Sequence, residues 1–295
     1  MEQKKNDPKA LLMLISAAVL FGTIGVFRRY IPFSSALLAC LRGGIGGIAL
    51  LCFLGVRRGL GKQRINRKAA GALCVTGVFL GLNWILLFEA YRYTSVATAT
   101  LCYYMEPTIV MLLSPVCFRE KLSKRKKLCM IVSVAGMVLV SGVTENSTWN
   151  VSEFRGIAFG LGAASLYSAV VILNKKLSGI NMYQRTLVEL LAASVSLIPY
   201  LLVGGEFYAL NPESLEFMTV LLVLVVGIVH TGVTYVLYLG SMDGLHAQTI
   251  AIFSYLDPVT ALLLSVFVLG EQLSLNGFWG AVMIIAAAFC SELKE

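Results

Sequence analysis

Polar and apolar residues in this chain do not alternate at a strand period or at the period of a half-buried helix. They separate into long apolar runs divided by short polar connections, as in LLMLISAAVLFGTIGVF near the start against RRGLGKQRINRK at residues 57–68. A hydrocarbon layer of roughly 30 Å needs about 20 apolar residues per helix. Ten segments meet that length: 10–30, 34–56, 68–90, 94–117, 125–143, 156–176, 183–204, 216–240, 246–269 and 276–292. The pattern therefore predicts an all-α integral membrane protein with ten transmembrane helices and no inserted soluble domain. The first run follows a basic start, yet it has span length and no small-x-small cleavage site after it, so it reads as a retained helix.

The connections carry the charge. Of 24 Lys and Arg residues, 19 fall on one side if the N-terminus is placed inside, with six between Arg57 and Lys68 and six between Arg119 and Lys127. The other side holds Arg28, Arg29, Arg92 and Arg155, and Arg42 lies within a span. The positive-inside rule then predicts that both termini are cytoplasmic. Composition agrees: 58% of residues are hydrophobic, 14% are charged, and the mean hydropathy is +0.80, against roughly 45–50% and about 25% in a soluble domain.

One motif occurs twice. YYMEPTIVMLLSPVCFREKLS (103–123) aligns with SYLDPVTALLLSVFVLGEQLS (254–274) at a constant offset of 151, with eight of 21 positions identical. Pro107 matches Pro258, Glu120 matches Glu271, and Glu106 falls on Asp257. The first helices of the halves match more loosely, SAAVLFG (16–22) on GAASLYS (162–168). Residues 1–143 and 156–295 thus read as two five-helix repeats joined by a linker at 144–155. Because five is odd, the second repeat must enter the membrane from the opposite side. Inverted repeats of this kind are the architecture of many secondary transporters, with sites near the midplane between the halves.

On these features the chain resembles the EamA family of the drug/metabolite transporter superfamily over essentially its whole length. Members of that family are ten-helix inverted repeats, and the fourth helix of each half often reads L-x-P and ends in G-E-x-L. The second half carries Leu256, Asp257 and Pro258, then Gly270, Glu271 and Leu273. The first half departs, with Met105 before Glu106 and Arg119 where Gly is usual. The resemblance implies a permease or exporter of small metabolites such as amino acids or amines, in a bacterial plasma membrane.

Polar residues inside the spans are the candidates for chemistry, because a mid-bilayer charge costs about 2.5–3.5 kcal/mol on insertion scales and must face a cavity or a partner. Glu106 and Asp257 lie near mid-span, and either binds a substrate amine or coupling protons, or caps backbone groups next to the prolines. Pro107 and Pro258 remove a donor and bend their helices. Arg42 and Glu189 occupy corresponding places in the second helix of each half. They would grip the two ends of a zwitterion, or Arg42 would pair with one of the acids, or an ion pair there would be purely structural. Asn83 and Trp84 align on Thr234 and Tyr235, and with Phe88, Tyr103, Tyr104, Tyr167, Tyr238 and Tyr255 they could wall an aromatic chamber suited to cations. Asn83, Trp84, Tyr104 and Tyr235 lead that group. Glu120 and Glu271 end the fourth helix of each half and are expected to cap the helix that follows. Glu89 is expected at a vestibule, and His230 in the path or, more commonly, bonded in the core. Gly43/Gly47, Gly77/Gly81 and Gly156/Gly160 mark close helix packing. Contacts inside the bundle satisfy that spacing as well as a homodimer would.

Other classes fare worse. Basic residues sit in short connections, not on a folded basic face, so no nucleic acid is expected. Seven scattered cysteines and two histidines form no metal or disulfide framework. No GxxxxGK[ST] element couples ATP, and no cofactor is expected. A membrane enzyme would need catalytic loops, and a non-transporting sensor would need a long tail or large loop.

Overall fold

The structure, a computed structural model, describes residues 7–56, 65–94, 96–141, 151–177, 179–210, 216–268, 270 and 274–292. All regular structure among these is helical. The first half comprises α1 (Pro8–Arg28), α2 (Ser35–Val56), α3 (Arg67–Tyr93), α4 (Val96–Tyr103), α5 (Glu106–Phe118) and α6 (Lys124–Ser141). The second comprises α7 (Val151–Lys176), α8 (Met182–Gly204), α9 (Phe217–Gly227), a π-helical segment at Ile228–Val233, α10 (Thr234–Ser241), α11 (Ala247–Ser254), α12 (Leu256–Phe267) and α13 (Leu275–Glu292). Among the described residues eight stretches are long and apolar enough to cross a membrane, four before residue 120 and four after residue 150, and Leu275–Ser291 is a shorter apolar helix. Polar caps mark several starts where the sequence supplies them: Asp7 accepts from the Lys9 amide, Asn66 from Ala69 and Asn181 from Tyr183.

The acid-proline motif breaks both helices that carry it. The span expected at 94–117 is α4 and α5, interrupted at Tyr104 and Met105, and the one expected at 246–269 is α11 and α12, interrupted at Tyr255. Proline has no N–H, so Tyr103 and Ser254 lose the amide that would close their helical turn. Beside each lost bond the helix tightens into a shorter turn, Met105 N–H to Cys102 O at 3.1 Å and Tyr255 N–H to Ile252 O at 3.3 Å. The span expected at 216–240 is continuous but contains the π-helical turn. Helix α7 begins at Val151, inside the stretch read from sequence as linker, whose residues 144–150 lie outside the described residues.

Glycines decide how closely the halves meet. Helix α8 of the second half packs on α2 and α3 of the first. A methyl on Gly77 would sit 2.6 Å from the Glu189 carbonyl oxygen and 2.6 Å from the Ala192 methyl. Gly43 faces the Leu190 carbonyl more loosely, at 3.3 Å, and Gly47 faces the Leu191 side chain, so the glycine pairs mark contacts inside the bundle. Helix α5 ends at Arg119 in the left-handed region (φ 57°), and Gly270 at the matched position also has positive φ (69°). The turn therefore keeps its shape where the sequence departs from the family pattern.

Candidate functional site

The breaks in α4–α5 and α11–α12 face each other across a cavity of about 510 Å³. It is lined by α1 from Leu14 to Gly25, by Arg42 of α2, by α3 from Trp84 to Tyr91, and by residues of α4, α5, α7 and α10–α12. Both halves contribute. Of the eight leading candidates, Arg42, Trp84, Tyr104, Glu106, Tyr235 and Asp257 line it. Asn83 and Glu189 do not. Asn83 neighbours Trp84 in sequence but turns away, and its amide donates to the Ala163 carbonyl of α7 at 2.7 Å. Glu189 is buried in the α8–α3 seam, where it accepts from the Thr76 hydroxyl at 2.5 Å. Arg42 and Glu189 thus occupy matched sequence positions but separate surroundings.

The polar geometry bridges the halves. The Tyr104 hydroxyl donates to Asp257 Oδ2 at 3.0 Å, and the Tyr255 hydroxyl lies 2.8 Å from Thr108 Oγ1. Each half therefore sends the tyrosine of its repeated motif to the acid-proline turn of the other. Tyr255 does so outside the chamber, against Met137 and Ala281, so its expected place in the wall is taken by other rings. Glu106 is 5% exposed, and its carboxyl oxygens have no hydrogen-bond partner among the described residues. Among the described residues neither Glu106 nor Asp257 accepts from a backbone amide, so capping of proline-freed groups does not occupy them there. Arg42 lies 4.7 Å over the Trp84 ring and forms no ion pair among the described residues. A guanidinium held on an indole face keeps its edge available to an anion.

Rings form most of the remaining wall. Tyr167 stacks on Tyr238 with centroids 6.4 Å apart, Tyr103 lies 6.0 Å from Tyr167, and Phe21 meets Tyr235 edge-on at 5.2 Å. Phe88, Tyr103, Tyr167 and Tyr238 were legible as candidates; Phe21, Tyr91 and Thr100 were not. Phe21 falls in the loosely matched SAAVLFG segment, the one signal that could have drawn attention to it. His230 stays in the core, with Nε2 2.8 Å from Thr23 Oγ1. Glu89 accepts from Arg92 at 3.0 Å and from the Tyr200 hydroxyl at 2.7 Å, near the end of α3.

The chamber lining runs toward the Arg28 end of α1 and the Tyr93 end of α3. The other end of the bundle is clamped around the turn joining α10 to α11. Arg185 donates to Leu239 O at 3.1 Å and pairs with Asp243 at 3.1 Å. Lys175 donates to the carbonyls of Met242 and Leu245, and the Asp7 amide reaches Gly244 O at 3.0 Å. Glu120 accepts from the Ala247 amide at 2.9 Å and the Gln248 amide at 3.3 Å. This corrects the expectation for Glu120: it caps α11 of the opposite half, not the helix that follows it. The start of α6 is served by Ser123 instead, which accepts from Lys126 at 3.3 Å. Glu271 lies outside the described residues.

Burial pushes the Glu120 carboxyl up, but His246, the Ala247 amide and Lys175 outweigh it and hold it below the ordinary glutamate range. A depressed folded pKa means the stabilisation is complete above the unfolded value of about 4.3 and is lost as pH falls through the folded value. Glu120→Ala should destabilise the protein by about 1–2 kcal/mol at neutral pH. The deficit should shrink as the pH is lowered below about 4, which melting curves of the purified protein across pH will show. A deficit that stays constant in acid would sink this assignment.

A helical bundle of membrane-length apolar helices, enclosing a polar and aromatic chamber between two halves, defines a membrane transporter. The family model for the EamA-like transporter family matches residues 8–142 and again 154–292, and the chain belongs to that family. It is 28% identical over 283 residues to the uncharacterized transporter YxxF of Bacillus subtilis, covering 96% of this chain and 89% of that protein. An uncharacterized transporter of Archaeoglobus fulgidus is 29% identical, with 92% of each chain covered. Protein RarD of Escherichia coli is 25% identical over 203 residues, 68% of this chain and 64% of RarD. A crystal structure superposes with a TM-score of 0.83 over 99% of each chain at 18% identity, which speaks to the fold alone.

Proposed function

We propose that the chain is a secondary transporter of small amine-bearing metabolites, such as amino acids or amines, working by alternating access in a bacterial plasma membrane. It crosses the membrane ten times as two inverted five-helix halves, with both termini cytoplasmic. The observation that carries this reading is the chamber, where the acids of the two repeated motifs, Glu106 and Asp257, meet Arg42 and an aromatic wall. Glu106 or Asp257 takes the ammonium group, Arg42 takes a carboxylate where the substrate has one, and the rings cover the apolar part. With the α10–α11 turn clamped, the chamber is closed on the cytoplasmic side. Rocking of the halves about the α8 seam then exchanges access, and a proton on Glu106 supplies the driving force. Export fits that geometry as well as it fits the family.

The test is a thermal-shift screen of purified protein over amino acids, amines, nucleosides and sugars, followed by flux into liposomes for each hit. Stabilisation by amines or amino acids with saturable flux is the expected result. Binding without flux would favour a sensor, and no binding of either class would remove the chamber assignment. Trp84→Ala removes the face on which Arg42 rests and one wall of the chamber. It should weaken binding by roughly 10- to 100-fold, about 1.4–2.8 kcal/mol, as read from the shift of the binding isotherm.

A further inference from the structure

Outside the chamber, three fully buried polar residues meet where α3, α7 and α8 converge: Thr76, Asn174 and Glu189, each 0% exposed. Glu189 Oε1 accepts from Thr76, whose single hydroxyl hydrogen is also claimed by Leu73 O at 2.9 Å. Asn174 lies within hydrogen-bonding reach of the same carboxyl, and one of the two hydrogens on its Nδ2 is donated to Val170 O at 3.1 Å. Two acceptors are left over. Glu189 Oε2 and Asn174 Oδ1 are both buried without a partner. Turning the Asn174 amide over does not mend this, because its oxygen would then face the Val170 carbonyl. The second Nδ2 hydrogen can serve the carboxyl, but Asn174 Oδ1 is then still short of a donor, and a buried acceptor without one is rare in folded proteins.

Nearby charges do not supply it. Arg185, one turn earlier on α8, is the cation adjoining Glu189, but it is paired with Asp243 and bonded to two backbone carbonyls. From α10 the facing titratable group is Tyr235, a neutral phenol at the chamber wall. Helices α3 and α7 present Thr76 and Asn174, which do not titrate, and the single charged residue of α2, Arg42, rests on Trp84. A carboxylate at Glu189 would have only the charge of Arg185, already shared with Asp243, to offset its burial in the seam between the halves.

We propose that Glu189 is a proton-binding site, separate from the chamber, whose carboxyl is protonated and donates to Asn174 while the α3–α8 seam is packed. The step is a proton passing between the carboxyl and water, with no other bond made or broken. Glycine packing sets when it occurs: Gly77 brings α3 against the Glu189 backbone, and the residue is fully buried while the halves are packed. Parting hydrates the carboxyl and releases the proton, and repacking takes one up. The consequence for coupling rests on the transporter reading; the proton itself does not.

Infrared spectra of the purified full-length protein in lipid vesicles at neutral pH test it directly. The wild type minus Glu189→Gln difference should show loss of a protonated-carboxyl carbonyl band. Loss of a carboxylate band instead overturns the proposal. Should Glu189→Gln fail to fold, Thr76→Val removes the hydroxyl on Oε1 and should shift the protonated band in frequency; an unshifted band overturns it equally. Liposome flux is read separately. Glu189→Gln should carry substrate at a rate that varies less with pH than the wild-type rate, the remaining dependence belonging to Glu106, whereas absent flux in the wild type would count against the transporter reading and leave the spectroscopic result standing.

Discussion

Glu106→Gln should fold and still bind substrate through Asp257, which takes the ammonium group while Glu106 carries the proton, yet lose proton-driven flux. The substitution is nearly isosteric, and the carboxyl oxygens have no hydrogen-bond partner to lose among the described residues, so stability should change by no more than about 1 kcal/mol. What it removes is the capacity to exchange a proton. Glu106 opens α5, directly after the break at Tyr104–Met105, and faces the chamber. A group that must hold a proton in one conformation and give it up in another needs a setting where water or a ligand can reach it, and the proline-broken turn supplies one. In liposomes with an imposed pH gradient, the variant should retain exchange of substrate between the two sides while accumulation driven by the gradient disappears. Accumulation at the wild-type rate would remove Glu106 from the coupling step and leave Asp257, which Tyr104 already engages, as the chamber carboxyl to test.

Gly77→Val is expected to be the most damaging single substitution in the bundle. A β-carbon there meets the Glu189 carbonyl and Cα at 2.6 and 3.0 Å, both backbone, and the Ala192 methyl at 2.6 Å. Backbone cannot rotate aside as a side chain can, so α3 and α8 must separate. Overpacking of this sort costs about 1–3 kcal/mol, and the two γ-methyls of valine add to it. The control is on the same helix: Gly71 has no atom within 4 Å of a new β-carbon, and Gly71→Ala should leave stability within about 0.5 kcal/mol of wild type. Melting temperatures in detergent compare the two. Equal effects would show that the seam yields more readily than its contacts imply.

The apolar runs were enough to place helices to within a few residues, because span length is dictated by the bilayer and not by the fold. The acid-proline pairs also declared themselves, since a charge beside a helix breaker has few places to go in an apolar run. Rotation about each helix axis was not legible. Asn83 and Trp84 are consecutive, so a turn of about 100° sends one to α7 and the other to the chamber, and nothing in GLNWILLFEAY says which. Arg42 and Glu189 held equivalent positions by counting along their helices, yet the α2 register brings Arg42 onto Trp84 while the α8 register buries Glu189 against Thr76. Long-range partners were equally silent. Glu120 was expected to serve its own neighbour, and only the packing of α5 beside α11 reveals that its amides lie 127 and 128 residues away.

That separation has a consequence for biosynthesis. When Glu120 reaches the membrane surface, Ala247 and Gln248 have not been made. The carboxylate must wait in water or among headgroups until more than a hundred further residues have been threaded into the bilayer. The first half is thus assembled with an unanswered acceptor at its edge, and the arrival of α11 closes it. A chain that inserted α11 in the wrong direction would leave Glu120 on one face and the amides on the other, so this contact can form only after correct topology has been reached.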